Sequence, residues 1–175
     1  MHERTREIAF VGILIAMGVV LTRFASLRIS IGGVEGIRIG FGTFPTILSG
    51  LLFGPLLGAL TGAFADIIGF ALSPMGPYFP HFTLTAALYG VLPGILIHLP
   101  LRSKICRILL AVAIPQVSVG CLLTPYFLHT LFGMPWKVLL IPRLISTPII
   151  VLSYVLLLSA LARVPRFAFA LFRER

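Results

Sequence analysis

Asp66 stands inside the apolar run GPLLGALTGAFADIIGFAL, and it is the one carboxylate placed within such a run. An ionisable residue at that depth normally faces the interior of a bundle, takes a partner and marks the path of a substrate or ion. Two readings fit it, a ligand contact and a structural ion pair with Arg38 or Arg143. Arg38 and Arg143 carry planar, forked donors suited to holding carboxylates in a dry site; the alternative for both is snorkelling to a membrane surface. Because Arg143 sits between Pro142 and a run containing Pro148, the helix is expected to be irregular there, and we assign it to ligand contact. Arg23 and Arg28 we assign to the interface. The segment SPMGPYFPHF, Ser73 to Phe82, has three prolines and a glycine and is expected to be a rigid capping loop without helix. Its Tyr78, Phe79, His81 and Phe82 can sandwich a planar ring, although aromatics at an interface also serve as belt residues.

Other chemistries lack their residues. His81, His98 and His129 match no zinc spacing, so no metal site is expected. Cys106 and Cys121 have the wrong spacing for a metal knuckle or redox pair and read as buried small apolar residues. No phosphate loop or nucleophile elbow is present, and no series of carboxylates forms a proton relay. Uphill movement of a solute therefore needs energy from another subunit.

The elements that must position these residues are membrane helices. Of 175 residues, 58% are hydrophobic and 11% charged, with a mean hydropathy of +1.08, far outside the range of soluble domains. The length accommodates about six spans in one domain. They fall near residues 8–24, 41–53, 55–72, 83–98, 108–132 and 141–161, several of them short or broken by Pro and Gly. The second is short enough that it must borrow length from residues 37–42 or remain short. The net charge of +9 reflects bases at the ends of apolar runs, so topology explains it and nucleic acid is not an expected partner. With both termini cytoplasmic, nine basic residues lie inside and five outside, which satisfies the positive-inside rule. The segment 28–41, a loop with a short hairpin expected around Gly32 and Gly33, then shares the outer side with the aromatic loop and the 133–143 turn. Broken backbone at membrane depth is tolerated where it is buried or lines a cavity, and the Gly- and Pro-interrupted stretch from Gly36 to Gly90 is where a site is expected. In the first span Gly12 and Ala16, four apart, offer a small face for another helix, within the chain or on a partner.

Three segments carry a family resemblance: IRIGFGTFPTILSGLLFGPLLGALTGAFADIIG (Ile37 to Gly69), PMGPYFPHFTLTAALYG (Pro74 to Gly90), and TLFG followed by LIPRLISTPI (Thr130 to Gly133, Leu140 to Ile149). In this order and spacing they resemble the substrate-binding S components of energy-coupling factor (ECF) vitamin transporters, in the folate-type branch. The resemblance implies an all-α bundle of six transmembrane helices in the plasma membrane of a prokaryote. Such a bundle captures a vitamin from outside under loops joining the first and second and the third and fourth helices, and topples to release it inward. It implies as partners a transmembrane coupling subunit and two cytoplasmic ATPase subunits, which hydrolyse the ATP; no cofactor resides in this chain. Gly12 with Ala16 stands closest to the family's small-residue face for the coupling subunit. For folate or a related pterin, Tyr78, Phe79 and Phe82 would surround the ring, with His81 in the same loop. Asp66 would meet the pterin edge or orient an arginine, and Arg38 or Arg143 would hold carboxylate. Riboflavin or thiamine is the alternative vitamin. A small intramembrane enzyme using Asp66 with His81 or His129, and a purely structural membrane partner, are readings of another class.

Overall fold

A computed structural model of the chain describes residues 2–23, 26–31, 34–73, 77–100 and 103–164. Its described residues form six helices and one hairpin: α1 (His2–Arg23), β1 (Ser26–Ile31), β2 (Val34–Gly40), α2 (Phe44–Phe53), α3 (Pro55–Leu72), α4 (Pro80–Leu96), α5 (Lys104–Phe132) and α6 (Trp136–Leu161). Helices α1, α3, α5 and α6 are long and apolar enough to cross a bilayer, while α2 and α4 are shorter apolar helices.

The segment between α1 and α2 is more regular than a loop. Strands β1 and β2 pair antiparallel from Ser26 opposite Gly40 to Ile31 opposite Val34, with an irregularity between Ile29 and Ser30. The expected turn at Gly32 and Gly33 lies outside the described residues. Because β2 takes residues up to Gly40, α2 gains no length from them and starts at Phe44, after the expected 41. Helix α4 starts at Pro80, inside the segment expected to exclude helix, because proline is tolerated in a first turn whose N–H groups have no intrahelical acceptor. Helices α5 and α6 begin at Lys104 and Trp136, earlier than the expected 108 and 141, and α4 ends at Leu96. Cys121 is buried as expected, but Cys106 is exposed in the first turn of α5.

The centre of the bundle is a junction of α2, α3 and α4 built on glycine. A Cβ on Gly90 would lie 2.0 Å from the Gly58 carbonyl oxygen, one on Gly50 would lie 2.1 Å from the Gly90 oxygen, and one on Gly62 would lie 2.0 Å from the Ala86 oxygen. These backbones touch, which is how membrane helices gain packing where the hydrophobic effect between them is weak. Ser49 Oγ donates to Thr61 Oγ1 across α2 and α3 at 2.7 Å, and Thr61 donates to the Leu57 carbonyl at 2.7 Å, so these buried hydroxyls are satisfied. Beside the junction, Ile47, Leu51, Ile108, Val112, Tyr154 and Leu158 form the apolar core. The small residues of α1 divide: Gly18 is buried against Ala65 of α3, whereas Ala16 is exposed and a Cβ on Gly12 would meet nothing within 4 Å.

Candidate substrate site

Proline spacing in α5 shapes the deep part of the site. Between Pro115 and Pro125 the residues Gln116–Leu123 wind as a π-helix, ending where Thr124 N–H bonds the Val119 carbonyl. The next bond in that register would join the Gly120 carbonyl to the nitrogen of residue 125, and proline has no N–H to give. Arg143 of α6 supplies the missing donor, its Nη1 bonding the Gly120 carbonyl. The irregular backbone expected around Arg143 is therefore in the helix that faces it; α6 itself runs unbroken through Pro142 and Pro148. Membrane helices tolerate such prolines when neighbouring groups take up the freed carbonyls.

A chain of polar groups leads from this point to the hairpin. Gln116, 5% exposed, extends Nε2 toward Thr43 Oγ1 at 3.5 Å. Thr43 Oγ1 lies 3.0 Å from the Tyr154 hydroxyl, which donates to the Gly40 carbonyl at 3.0 Å. Since Tyr154 has one proton and gives it to Gly40, Thr43 is the donor to Tyr154. The fully buried Tyr154 also packs its ring against Phe41 and Phe44, fixing the end of β2 to the core. On the other side of Gly120 is the hydroxyl of Tyr89, 2.7 Å from where a Cβ on that glycine would be. Thr43, Tyr89, Gln116 and Tyr154 were not among the residues singled out from sequence. The available signal was Gln116, the sole amide side chain of the chain, within an apolar span.

A second polar group lies where α3 and α4 meet the aromatic loop. Thr83 Oγ1 donates to Asp66 Oδ2 at 2.6 Å, and the Tyr78 hydroxyl is 2.6 Å from Thr83 Oγ1. Thr83 gives its one proton to the carboxylate, so Tyr78 donates to Thr83. The ion pair considered between Asp66 and Arg143 is not formed. Around this relay the rings gather: Tyr78 on Phe70 at 5.2 Å, Phe79 edge-on to Phe132 at 5.1 Å and to Phe82 at 6.3 Å, and His81 against Phe127 at 4.9 Å. The structure thus joins Asp66 to Tyr78 and groups the loop aromatics with α5, while Arg143 belongs to the deeper cluster. Arg38 sits in β2 opposite Arg28; only its backbone is described. Pro74 to Gly76 of the loop lie outside the described residues. Along the axis of α4, Thr83 and Tyr89 are about 9 Å apart.

A separate groove of about 710 Å³ runs between α4, α5 and α6, lined by residues such as Leu92, Ile114, Leu122, Tyr126 and Trp136. It lacks the convergent polar groups that orient a vitamin and presents an apolar surface. Among the described residues no group of His, Cys, Asp and Glu is placed to hold a metal ion.

Comparison with known proteins adds the following. Residues 2–163 match the family model described as ECF-type riboflavin transporter, S component. The chain is 36% identical over 147 residues to a folate transporter, FolT, of Clostridium novyi (strain NT), covering 84% of this chain and 82% of the relative. Its fold is similar to the crystal structure of a FolT bound with folic acid, with a TM-score of 0.76, 32% identity and coverage of 93% of this chain and 97% of the other. It also superposes on the S component of a bacterial ECF transporter, with a TM-score of 0.65 over 91% of this chain and 97% of the other at 20% identity, a likeness of fold.

Proposed function

Because the chain belongs to the family of ECF-type transporter S components, we propose that it captures folate or a closely related pterin at the outer face of a prokaryotic plasma membrane and hands it to an ATP-driven coupling module. The family model's description names riboflavin and the relative's name folate. The observation that carries the folate reading is the fit to the folic-acid-bound FolT over nearly the whole of both chains at 32% identity. In this reading the hairpin β1–β2 and the loop before α4 cover the ligand. Tyr78, Phe79, His81 and Phe82 enclose its rings, Asp66 accepts hydrogen bonds beneath them, and Arg143 with Arg38 supplies cationic donors for its oxygens. The open face of Gly12 and Ala16 on α1 is where a transmembrane coupling subunit docks, and two ATPase subunits on the cytoplasmic side drive release. Riboflavin and thiamine are the competing vitamins.

The vitamin that co-purifies with the chain tests this reading. A pterin-type ultraviolet spectrum is expected; the visible absorption of an isoalloxazine ring would replace folate by riboflavin.

A further inference from the structure

The apolar groove between α4, α5 and α6 lies between helices that include two long enough to cross the bilayer, α5 and α6. Ser118 on its wall donates its hydroxyl proton to the Ile114 carbonyl at 2.7 Å, within its own helix, so the groove offers hydrocarbon surface to hydrocarbon surroundings. Its wall on α5 runs from Ile114 to Tyr126, a rise of about 18 Å, close to the ~15 Å of hydrocarbon that one leaflet contributes to a bilayer. That is the length of one acyl chain. The end at the α5–α6 turn carries what a headgroup needs. Tyr126 and Trp136 line it and are exposed, as aromatics at a membrane interface are. Trp136 stacks on His129 with ring centroids 4.9 Å apart, and His129 is tied through Nδ1 to the Met134 carbonyl at 2.8 Å, so the indole is held in place. Lys137 follows it, exposed in the first turn of α6. From Ile67 to Arg173 the sequence has no Asp or Glu, so α4, α5 and α6 supply no carboxylate to neutralise that cation.

We infer that this groove seats one acyl chain of an anionic phospholipid, whose headgroup meets Lys137 beside Trp136. Burial of the chain supplies affinity, and the uncompensated lysine selects the charge of the headgroup. The site is apart from the polar clusters described above and holds whichever vitamin the chain carries.

Trp136 is the sole tryptophan of the chain, so its fluorescence reports on this groove alone. The full chain is purified in detergent, washed, and weighed by native mass spectrometry for retained phospholipid. It is then reconstituted in phosphatidylcholine vesicles holding equal minor fractions of brominated phosphatidylglycerol or brominated phosphatidylcholine, and the quenching of Trp136 is compared. One retained phospholipid is expected, and a preference of about fivefold for the anionic lipid in quenching, the effect of one lysine at a membrane surface. Lys137→Gln, an exposed change, should bring the two lipids to equality, and Ser118→Phe, whose ring fills the groove, should lose the retained lipid. No retained lipid in the wild-type chain, equal quenching by the two brominated lipids, or an anionic preference that survives in Lys137→Gln overturns the inference. So does a Ser118→Phe protein that keeps its lipid, or one that keeps it and loses the coupling subunit instead, which would make the groove a protein-docking face. If Ser118→Phe does not fold, the wild-type and Lys137→Gln results decide.

Discussion

Arg143 holds a carbonyl that Pro125 leaves without a partner, and in the function proposed above the same guanidinium meets the ligand. Substitutions separate these roles. Arg143→Lys keeps one charged donor for Gly120 but loses the fork, so the ligand-free thermal midpoint should stay near wild type while vitamin affinity drops at least about 10-fold. Arg143→Ala should lose both, with a stability cost of about 1–3 kcal/mol for the orphaned carbonyl. At the outer relay, Thr83 joins Tyr78 to Asp66 through a single hydroxyl. Thr83→Val should weaken binding by about 10-fold and Thr83→Ser by less than about twofold, since serine keeps the hydroxyl. A Thr83→Val protein that binds as wild type does would show that the relay does not position the loop for the ligand.

At the scale of elements, the π-helical segment and the glycine junction frame the candidate site, and each has its own test. Pro125→Ala restores an N–H able to reach the Gly120 carbonyl. In a double-mutant cycle it should therefore reduce the stability cost of Arg143→Ala, a coupling absent if the two residues act independently. Gly90→Ala places a Cβ against the Gly58 carbonyl and should cost about 1–3 kcal/mol, with about 2–4 °C off the thermal midpoint for each kcal/mol. Gly58 and Gly62, four apart in one span, show in the sequence that α3 has a small-residue face, but not that Gly50 and Gly90 meet it; the turn at Gly133, whose φ of 64° closes α5, was legible. The π-helix was not, because Pro115 and Pro125 read equally well as kinks in an α-helix until the backbone register is known. The start of α4 was misplaced for a related reason: the prolines of the aromatic loop look alike in sequence, yet Pro80 falls in a first turn. Asp66 stood out as a charge in an apolar run. Its partner Thr83 did not, since a threonine in a membrane helix usually bonds its own backbone, as Thr61 does.

For the whole molecule, membership of the S-component family makes the chain one part of a larger machine that includes membrane and ATPase subunits. Capture and transport should then be separable. Gly12→Leu, on the open face of α1, should leave vitamin affinity unchanged and reduce co-purification with the coupling subunit; a loss of affinity instead would place Gly12 in the site. The chain alone should bind vitamin without accumulating it in vesicles, whatever the nucleotide supplied. The most direct test of the central claim is equilibrium binding of labelled folate to the detergent-purified chain, in competition with unlabelled folate, riboflavin and thiamine. The account predicts tight, saturable folate binding displaced by folate and resistant to the other two; displacement by riboflavin or thiamine at least as effective as by folate, or no saturable binding at all, would contradict it.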